Sequence, residues 1–322
     1  MRRSVKLALL FPGQGSQVVG MGRDVAASSP AAREVFAEVD QALGESLSQL
    51  CFEGPEADLT LTANTQPALV ATSAALLAAL RERVGGQLTP FCAAGHSLGE
   101  YSALVAAGAL SVGDAVRLVR ARGRAMQEAV PPGAGAMAAI MGLEGAEVEA
   151  LCAEASEGEV VSPANFNGGQ VVIAGTAAAV ARASALATAR KGKAVPLKVS
   201  APFHCALMQP AAEALEPVLA ATTFRPLSFG VVANVDASPN LDPERARELL
   251  RRQIAGPVRW EATVRWMAEQ GVTHAIEVGP GKVLAGLVKR IAKSITVVGC
   301  GDLAGVEAAA QVLALPEATV AT

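Results

Sequence analysis

The sequence predicts an α/β protein with a mainly parallel sheet core, interrupted by a small domain of the split βαβ kind. Three observations carry this. Short apolar runs such as Leu7–Phe11 alternate with longer helical patterns along most of the chain, as in parallel sheets joined by crossover helices. The run Pro131-Pro132-Gly133-Ala134-Gly135 breaks that alternation, because Pro/Gly clusters punctuate a fold. Beyond it, to about residue 198, the elements read β-α-β-β-α-β, the order of a split βαβ unit. The expected organisation is a large domain of 1–131 and 199–322, with 132–198 inserted.

The first strand, Leu7–Phe11, is an apolar run closed by Pro12-Gly13. Apolar spacing at Val35, Val39, Leu43 and Leu47 predicts a helix over 30–50. An Ala/Leu-rich helix is expected over 67–84, with Pro67 in its first turn. A short strand over 91–94 leads to helices over 100–108 and 114–129, the latter with Asp114 near its start. The inserted unit reads as strands over 136–141, 160–162, 170–174 and 194–199, with helices over 146–155 and 177–191. The first pattern then resumes. Helices are expected over 207–222 and 281–293, and strands over 229–234 and 273–278; the last 15 residues or so are expected to fray.

Of the 322 residues, 51% are hydrophobic and 18% charged, which gives a large core and excludes a disordered chain. Net charge is −3, so no overall basic field recruits nucleic acid. The basic clusters at 190–193, 289–293 and 245–252 read as solvated faces. The five cysteines are scattered and odd in number, with no CxxC pair. A disulfide framework or structural zinc site is not expected, and a reducing cytoplasmic setting is. No run approaches a signal h-region or the roughly 20 residues of a membrane span.

Two motif resemblances fail. Gly13-Gln14-Gly15-Ser16-Gln17-Val18 lacks the third glycine of a dinucleotide fingerprint. Gly279-Pro280-Gly281-Lys282-Val283 lacks the Ser/Thr and the first glycine of a phosphate loop. His96, His204 and His274 show no metal-ligand spacing. The segment Gly95-His96-Ser97-Leu98-Gly99 is different. Gly-x-Ser-x-Gly between a strand and a helix lets a serine stand in a tight turn, where close neighbours leave no room for side chains. The helix N-terminus behind it favours developing negative charge. Ser97 is thus a candidate nucleophile, and a serine needs a base. His96 is too close in the turn and His274 lies in an apolar strand run. His204, in a loop after Pro202, is favoured, although no carboxylate lies near it to orient it. Cys205 beside it reads as core. The N–H of Leu98 and a second from the Gly13-Gln14-Gly15 loop are candidate oxyanion donors.

These residues carry a family resemblance. Phe11 to Gln17 and Gly95 to Leu104 resemble the malonyl-CoA:acyl carrier protein transacylases, relatives of the acyltransferase domains of polyketide synthases. Arg122-Gly123, Met126-Gln127, Gly135-Ala136-Met137, Asn165-Phe166-Asn167, Pro202-Phe203-His204-Cys205, Gln253, Pro257-Val258 and Glu277-Val278-Gly279-Pro280-Gly281 extend the likeness over essentially the whole chain. The resemblance implies a hydrolase-like core with a ferredoxin-like insert. It also implies Ser97 as acyl carrier, and His204 as a base oriented by a main-chain carbonyl near Gln253. Gln14 and Leu98 would form the oxyanion hole. It singles out Arg122, one of four arginines on its helix, as partner of the malonyl carboxylate, a role suited to a planar guanidinium. Gln14, His96, Phe203, Asn165 and Gln253 would surround the substrate, with Phe203 as the bulky residue of malonyl-selective members. After Asn167, Gly168-Gly169-Gln170 replaces a longer turn common in relatives, which leaves the shape of that hairpin open.

The implied reaction is ping-pong transfer of malonyl from malonyl-CoA to the phosphopantetheine thiol of acyl carrier protein, supplying fatty acid synthesis. No cofactor or metal is implied, and a monomer is expected. An acidic carrier would favour a basic patch beside the cleft. Two rivals exist. A serine hydrolase should show a carboxylate-backed histidine and an HGGG-type loop, and neither is visible. A carrier-docking module would need none of Ser97, His204 and Arg122.

Overall fold

A computed structural model describes residues 6–86, 88–199 and 201–314. Strand β1 (Leu7–Phe11) is followed by helices α1 (Arg23–Ser28), α2 (Pro30–Leu43), α3 (Leu47–Glu53), α4 (Glu56–Thr60) and α5 (Thr62–Val84). The helix expected over 30–50 is two. Ser29 Oγ caps α2 by accepting from the Ala32 N–H at 3.1 Å, with Pro30 in its first turn. Gly44 ends it at φ 66°, a left-handed conformation that suits glycine. Helix α5 starts at Thr62, so Pro67 lies inside it rather than in its first turn. A proline there removes one helical hydrogen bond. The helix nevertheless extends back because Thr62, Thr65 and Gln66 are buried, and tertiary packing outweighs local propensity.

Strand β2 (Cys92–Gly95), α6 (Gly99–Ala106) and α7 (Val112–Glu128) complete the first segment. Then come β3 (Gly135–Met141), α8 (Gly145–Ser156), β4 (Val161–Phe166), β5 (Gln170–Thr176), α9 (Ala177–Ala189) and β6 (Lys193–Pro196). The chain returns through a 3-10 turn (Ala206–Met208), α10 (Gln209–Ala221), β7 (Gly230–Val232), β8 (Pro239–Asn240), α11 (Pro243–Ala255) and α12 (Trp260–Glu269). It closes with β9 (His274–Val278), α13 (Val283–Ile291), β10 (Thr296–Cys300) and α14 (Leu303–Leu313). Part of the terminus expected to fray is therefore α14; the rest, from 315 on, lies outside the described residues.

Two sheets organise these elements. The larger has order β10-β9-β1-β2-β7-β8 and is parallel except for the β7–β8 edge. The smaller has order β4-β5-β3-β6 and is antiparallel throughout, as the β-α-β-β-α-β reading requires. Helix α5 is buried on nearly all sides over 62–80, with Thr65, Gln66, Thr72 and Ser73 among its Ala and Leu, so it carries no single apolar stripe. It packs among α2, α7 and α14. The basic run 245–252 belongs to α11, whose arginines point outward while Leu249, Leu250, Gln253 and Ile254 are buried. Among the described residues no helix is long and apolar enough to cross a membrane, and no group of three or more His, Cys, Asp or Glu could hold a metal. All five cysteines are free and buried.

Candidate active site

The turn between β2 and α6 explains its two glycines. A Cβ on Gly95 would come within 1.9 Å of the Gly99 carbonyl carbon, and one on Gly99 within 2.0 Å of the Phe11 oxygen. Ser97, between them, sits at φ 52°, a conformation costly for a residue with a side chain. Its neighbours pin it there. The Ser97 N–H donates to Asn234 Oδ1 at 2.7 Å, and its carbonyl accepts from Gln253 Nε2 at 2.9 Å.

The Ser97 hydroxyl meets two side chains. His204 Nε2 lies 2.7 Å from Oγ, and Arg122 Nη2 donates to Oγ at 3.2 Å. His204 is also at positive φ, 62°. Its Nδ1 lies 2.9 Å from the Gln253 carbonyl and 3.2 Å from that of Gly256. Carbonyls only accept, so Nδ1 carries the proton and Nε2 presents a lone pair to Ser97. The ring is thus oriented by main-chain oxygens. Burial, and then the Arg122 charge, push the His204 pKa down to about 3. A neutral imidazole at 2.7 Å from a hydroxyl can take its proton.

Arg122, on α7, is 1% exposed. Nη1 donates to Gln66 Oε1 at 2.8 Å and Nη2 to Gln253 Oε1 at 2.9 Å. Both acceptors are carboxamides, and Arg122 forms no ion pair among the described residues. Its guanidinium lies beside Tyr101, 5.4 Å from the ring centre. Burial lowers its pKa, but a guanidinium stays protonated at neutral pH. A desolvated cation without a counter-ion is costly, and this one faces a cavity. The cavity, of about 350 Å³, is lined by Ser97, Leu98, Arg122, Phe203 and His204, together with Gln14 and Asn165.

Residues 8–315 match the acyl transferase domain family. The chain belongs to that family. This acyltransferase is 53% identical over 293 residues to the malonyl CoA-acyl carrier protein transacylase of Escherichia coli K12, spanning 90% of this chain and 94% of the relative. The enzyme of that name from Bacillus subtilis is 48% identical over 311 residues, 96% and 97% of the two chains. Among solved structures, the acyl carrier protein S-malonyltransferase of Vibrio cholerae superposes with a TM-score of 0.91 at 48% identity, covering 94% of this chain and 99% of that one. A malonyl-transacylase solved with its type II polyketide acyl-carrier protein gives 0.91 at 46%, with 95% and 99% coverage.

In this acyltransferase the other expected site residues separate into two groups. Gln14, Leu98, Phe203, Asn165 and His96 line the cavity. Leu98 is the cap of α6, where first-turn amides have no helical acceptor. His96 turns its Nε2 to Asn167 Oδ1 at 3.0 Å and its ring toward Trp260, with centroids 5.7 Å apart; burial lowers its pKa. Asn165 Oδ1 is buried with no hydrogen-bond partner. Gln253 differs from the expectation. It is fully buried and, instead of lining the cavity, accepts from Arg122 and donates to the Ser97 carbonyl, because these bonds and the one to Glu100 use both ends of its carboxamide. Cys205 is core, as read from the sequence: it is 1% exposed, its Sγ lies 3.1 Å from the Pro202 oxygen, and burial pushes its thiol up to about 11.

Sequence reasoning missed Gln66, Glu100 and Asn234 as parts of the acyltransferase site. Only Asn234 stands within an apolar run, Val231-Val232-Ala233-Asn234-Val235; Gln66 and Glu100 carry no such local signal. The failed phosphate loop has a structural reason: Glu277 accepts the Leu284 and Ala285 N–H groups at 3.0 and 2.8 Å, so the α13 amides already serve a carboxyl group. Beside the first cavity a second, about 550 Å³, shares Gln14, Gly15 and His96 with it, and Lys282 and Arg290 stand on its rim.

Proposed function

We infer that this chain is a malonyl-CoA:acyl carrier protein transacylase supplying fatty acid synthesis. One observation carries the choice of acyl group: a buried Arg122 guanidinium, held by carboxamides alone, lies 3.2 Å from the Ser97 hydroxyl. A malonyl half-thioester brings the missing carboxylate, and an acetyl thioester does not. Ser97 Oγ attacks the malonyl-CoA thioester carbonyl while His204 Nε2 takes its proton. The N–H groups of Leu98 and Gln14 receive the oxyanion. The C–S bond then breaks, and His204 returns the proton to the departing CoA thiolate. In the second half the carrier's phosphopantetheine thiol gives its proton to His204 and attacks the malonyl-Ser97 carbonyl; the Ser97 Oγ–acyl bond breaks, His204 returns the proton to Ser97 Oγ, and the carrier leaves as its malonyl thioester. Phe203 narrows the pocket against α-methyl branches, and Asn165 with His96 faces the incoming arm.

Nucleophile, base and cation are all side chains, so the reaction needs no cofactor beyond its two substrates. The second cavity, with Lys282 and Arg290 at its rim, suits the approach of an acidic carrier. The large domain of 1–131 with 199–322 carries the nucleophile, base and cation, and the insert of 132–198 walls the cleft. Five reduced, buried cysteines fit a cytoplasmic enzyme, and it works as a monomer.

Radiolabelled malonyl-CoA is expected to label Ser97, and the label should pass to the carrier thiol. Labelling of Ser97→Ala would overturn the assignment, and release only as free malonate would indicate a hydrolase. Arg122→Ala should cost malonyl transfer about a hundredfold, the scale of two charge-assisted hydrogen bonds, and acetyl transfer far less. Equal losses would refute the carboxylate role.

A further inference from the structure

Glu100 is used by none of the steps above, yet it is 3% exposed and lies one helical turn beyond the nucleophile. Its Oε2 accepts two hydrogen bonds, from the Asn234 main-chain N–H at 3.0 Å and from Gln253 Nε2 at 2.8 Å. Each partner then reaches Ser97. Asn234 Oδ1 holds the Ser97 N–H, and its Nδ2 donates to the Gly95 carbonyl at 2.7 Å. Gln253 Nε2 holds the Ser97 carbonyl and its Oε1 accepts from Arg122.

The Gln253 carboxamide has two ends, and only one orientation serves. With Nε2 toward Glu100 and Ser97, its oxygen faces the guanidinium. Reversed, an N–H2 group would face Arg122, donor against donor, and the Ser97 carbonyl would lose its partner. The Glu100 acceptor joins the Ser97 carbonyl in holding the Nε2 end, and the amide so held presents its oxygen to the cation. The Ser97 backbone, at φ 52°, needs such over-determination to persist.

We propose that Glu100 is a positioning residue with two arms: through Asn234 it holds the Ser97 elbow, and through Gln253 it aims Arg122 at the acyl carboxylate. The proposal rests on the reading of Ser97 as malonyl carrier. The two arms predict different kinetics. Both arms touch the Ser97 backbone and so act on every acyl thioester, but only the Gln253 arm reaches Arg122 and so also sets the preference for malonyl over acetyl.

The test measures kcat/KM for Ser97 acylation by malonyl-CoA and acetyl-CoA in wild type, Glu100→Gln, Glu100→Asp and Asn234→Ala, with thermal melts to establish folding. Glu100→Gln keeps an acceptor oxygen in place, and should retain both rates within about threefold and an unchanged preference. Glu100→Asp withdraws the oxygen by one methylene, and should lower both rates and cut the malonyl preference about tenfold, the loss expected for one charge-assisted hydrogen bond. Asn234→Ala should slow both acylations by one common factor. An unchanged preference in Glu100→Asp, or a collapsed one in Glu100→Gln, would overturn the proposal. Should Glu100→Asp fail to fold, a preference shift in Asn234→Ala overturns the two-arm scheme and a common slowing supports it. If wild type takes no malonyl on Ser97, the parent reading fails instead.

Discussion

His204 and Glu100 are both buried, and burial moves their protons in opposite directions. His204 is held down to about 3, below the ordinary histidine range, and Glu100 is pushed up to about 7. As pH falls below about 6.5, the unfolded chain protonates its histidine while the folded chain does not, so stability is lost. Between about 4.5 and 7 the folded chain keeps a proton on Glu100 that the unfolded chain gives up, so stability rises as pH falls through the same window. The two effects oppose each other. Glu100→Gln removes the second and leaves the first. The melting temperature of that variant, relative to wild type, should therefore drop on going from pH 7 to pH 5; a constant difference would refute the Glu100 shift. The same numbers say that His204 stays neutral, and ready to accept the Ser97 proton, throughout the physiological range.

Helix α7 matters through one residue without a side chain. A Cβ at Gly123 would lie 2.8 Å from the Thr62 carbonyl oxygen and 2.9 Å from the Ala63 Cα. Backbone cannot yield as a side chain can, so the glycine lets α7 close on the start of α5. That approach brings Arg122 within reach of Gln66. Gly123→Ala should lower the melting temperature by several degrees and weaken malonyl acylation more than acetyl acylation, measured as kcat/KM; a variant with an unaltered malonyl preference would show that the helix contact does not place Arg122. The elements themselves were largely legible. The strand-turn-helix around Ser97 could be read because glycine spacing reports backbone crowding directly. Helices α11 and α12 were not read, since the charges of 244–252 masked the buried face of α11, although Asp242 and Pro243 mark its start. Gln66, Glu100 and Asn234 stayed hidden for a different reason. Their partners are as far as 153 residues away in sequence, as with Gln253 and Glu100, and no local pattern encodes such pairings.

At the scale of the molecule, two sheets with separate apolar cores meet at the cavity. The seam is tied by main chain: the Val258 N–H donates to the Ala164 carbonyl at 2.8 Å, and its carbonyl accepts from Phe166 N–H at 2.9 Å. Asn165, on the cavity wall, lies between these ties. Val258→Pro removes the first donor and strands a carbonyl, a cost of about 1–3 kcal/mol. The expected result is a looser seam, read as a larger share of malonyl released to water relative to carrier thiol; an unchanged partition would show that the tie does not guard the intermediate. The alternation of strands and helices and the β-α-β-β-α-β run were visible in the sequence, but strands β8 and β10 and this tie were not, because the tie joins segments that each read as ordinary. Arg122, buried among carboxamides, has a consequence that reaches beyond binding. The empty protein holds a buried cation with no ion-pair partner among the described residues, and on the proposed role of Arg122 the acyl carboxylate completes the pair. Whatever binds the folded form alone stabilises it, so on that role the malonylated protein is more stable than the vacant one.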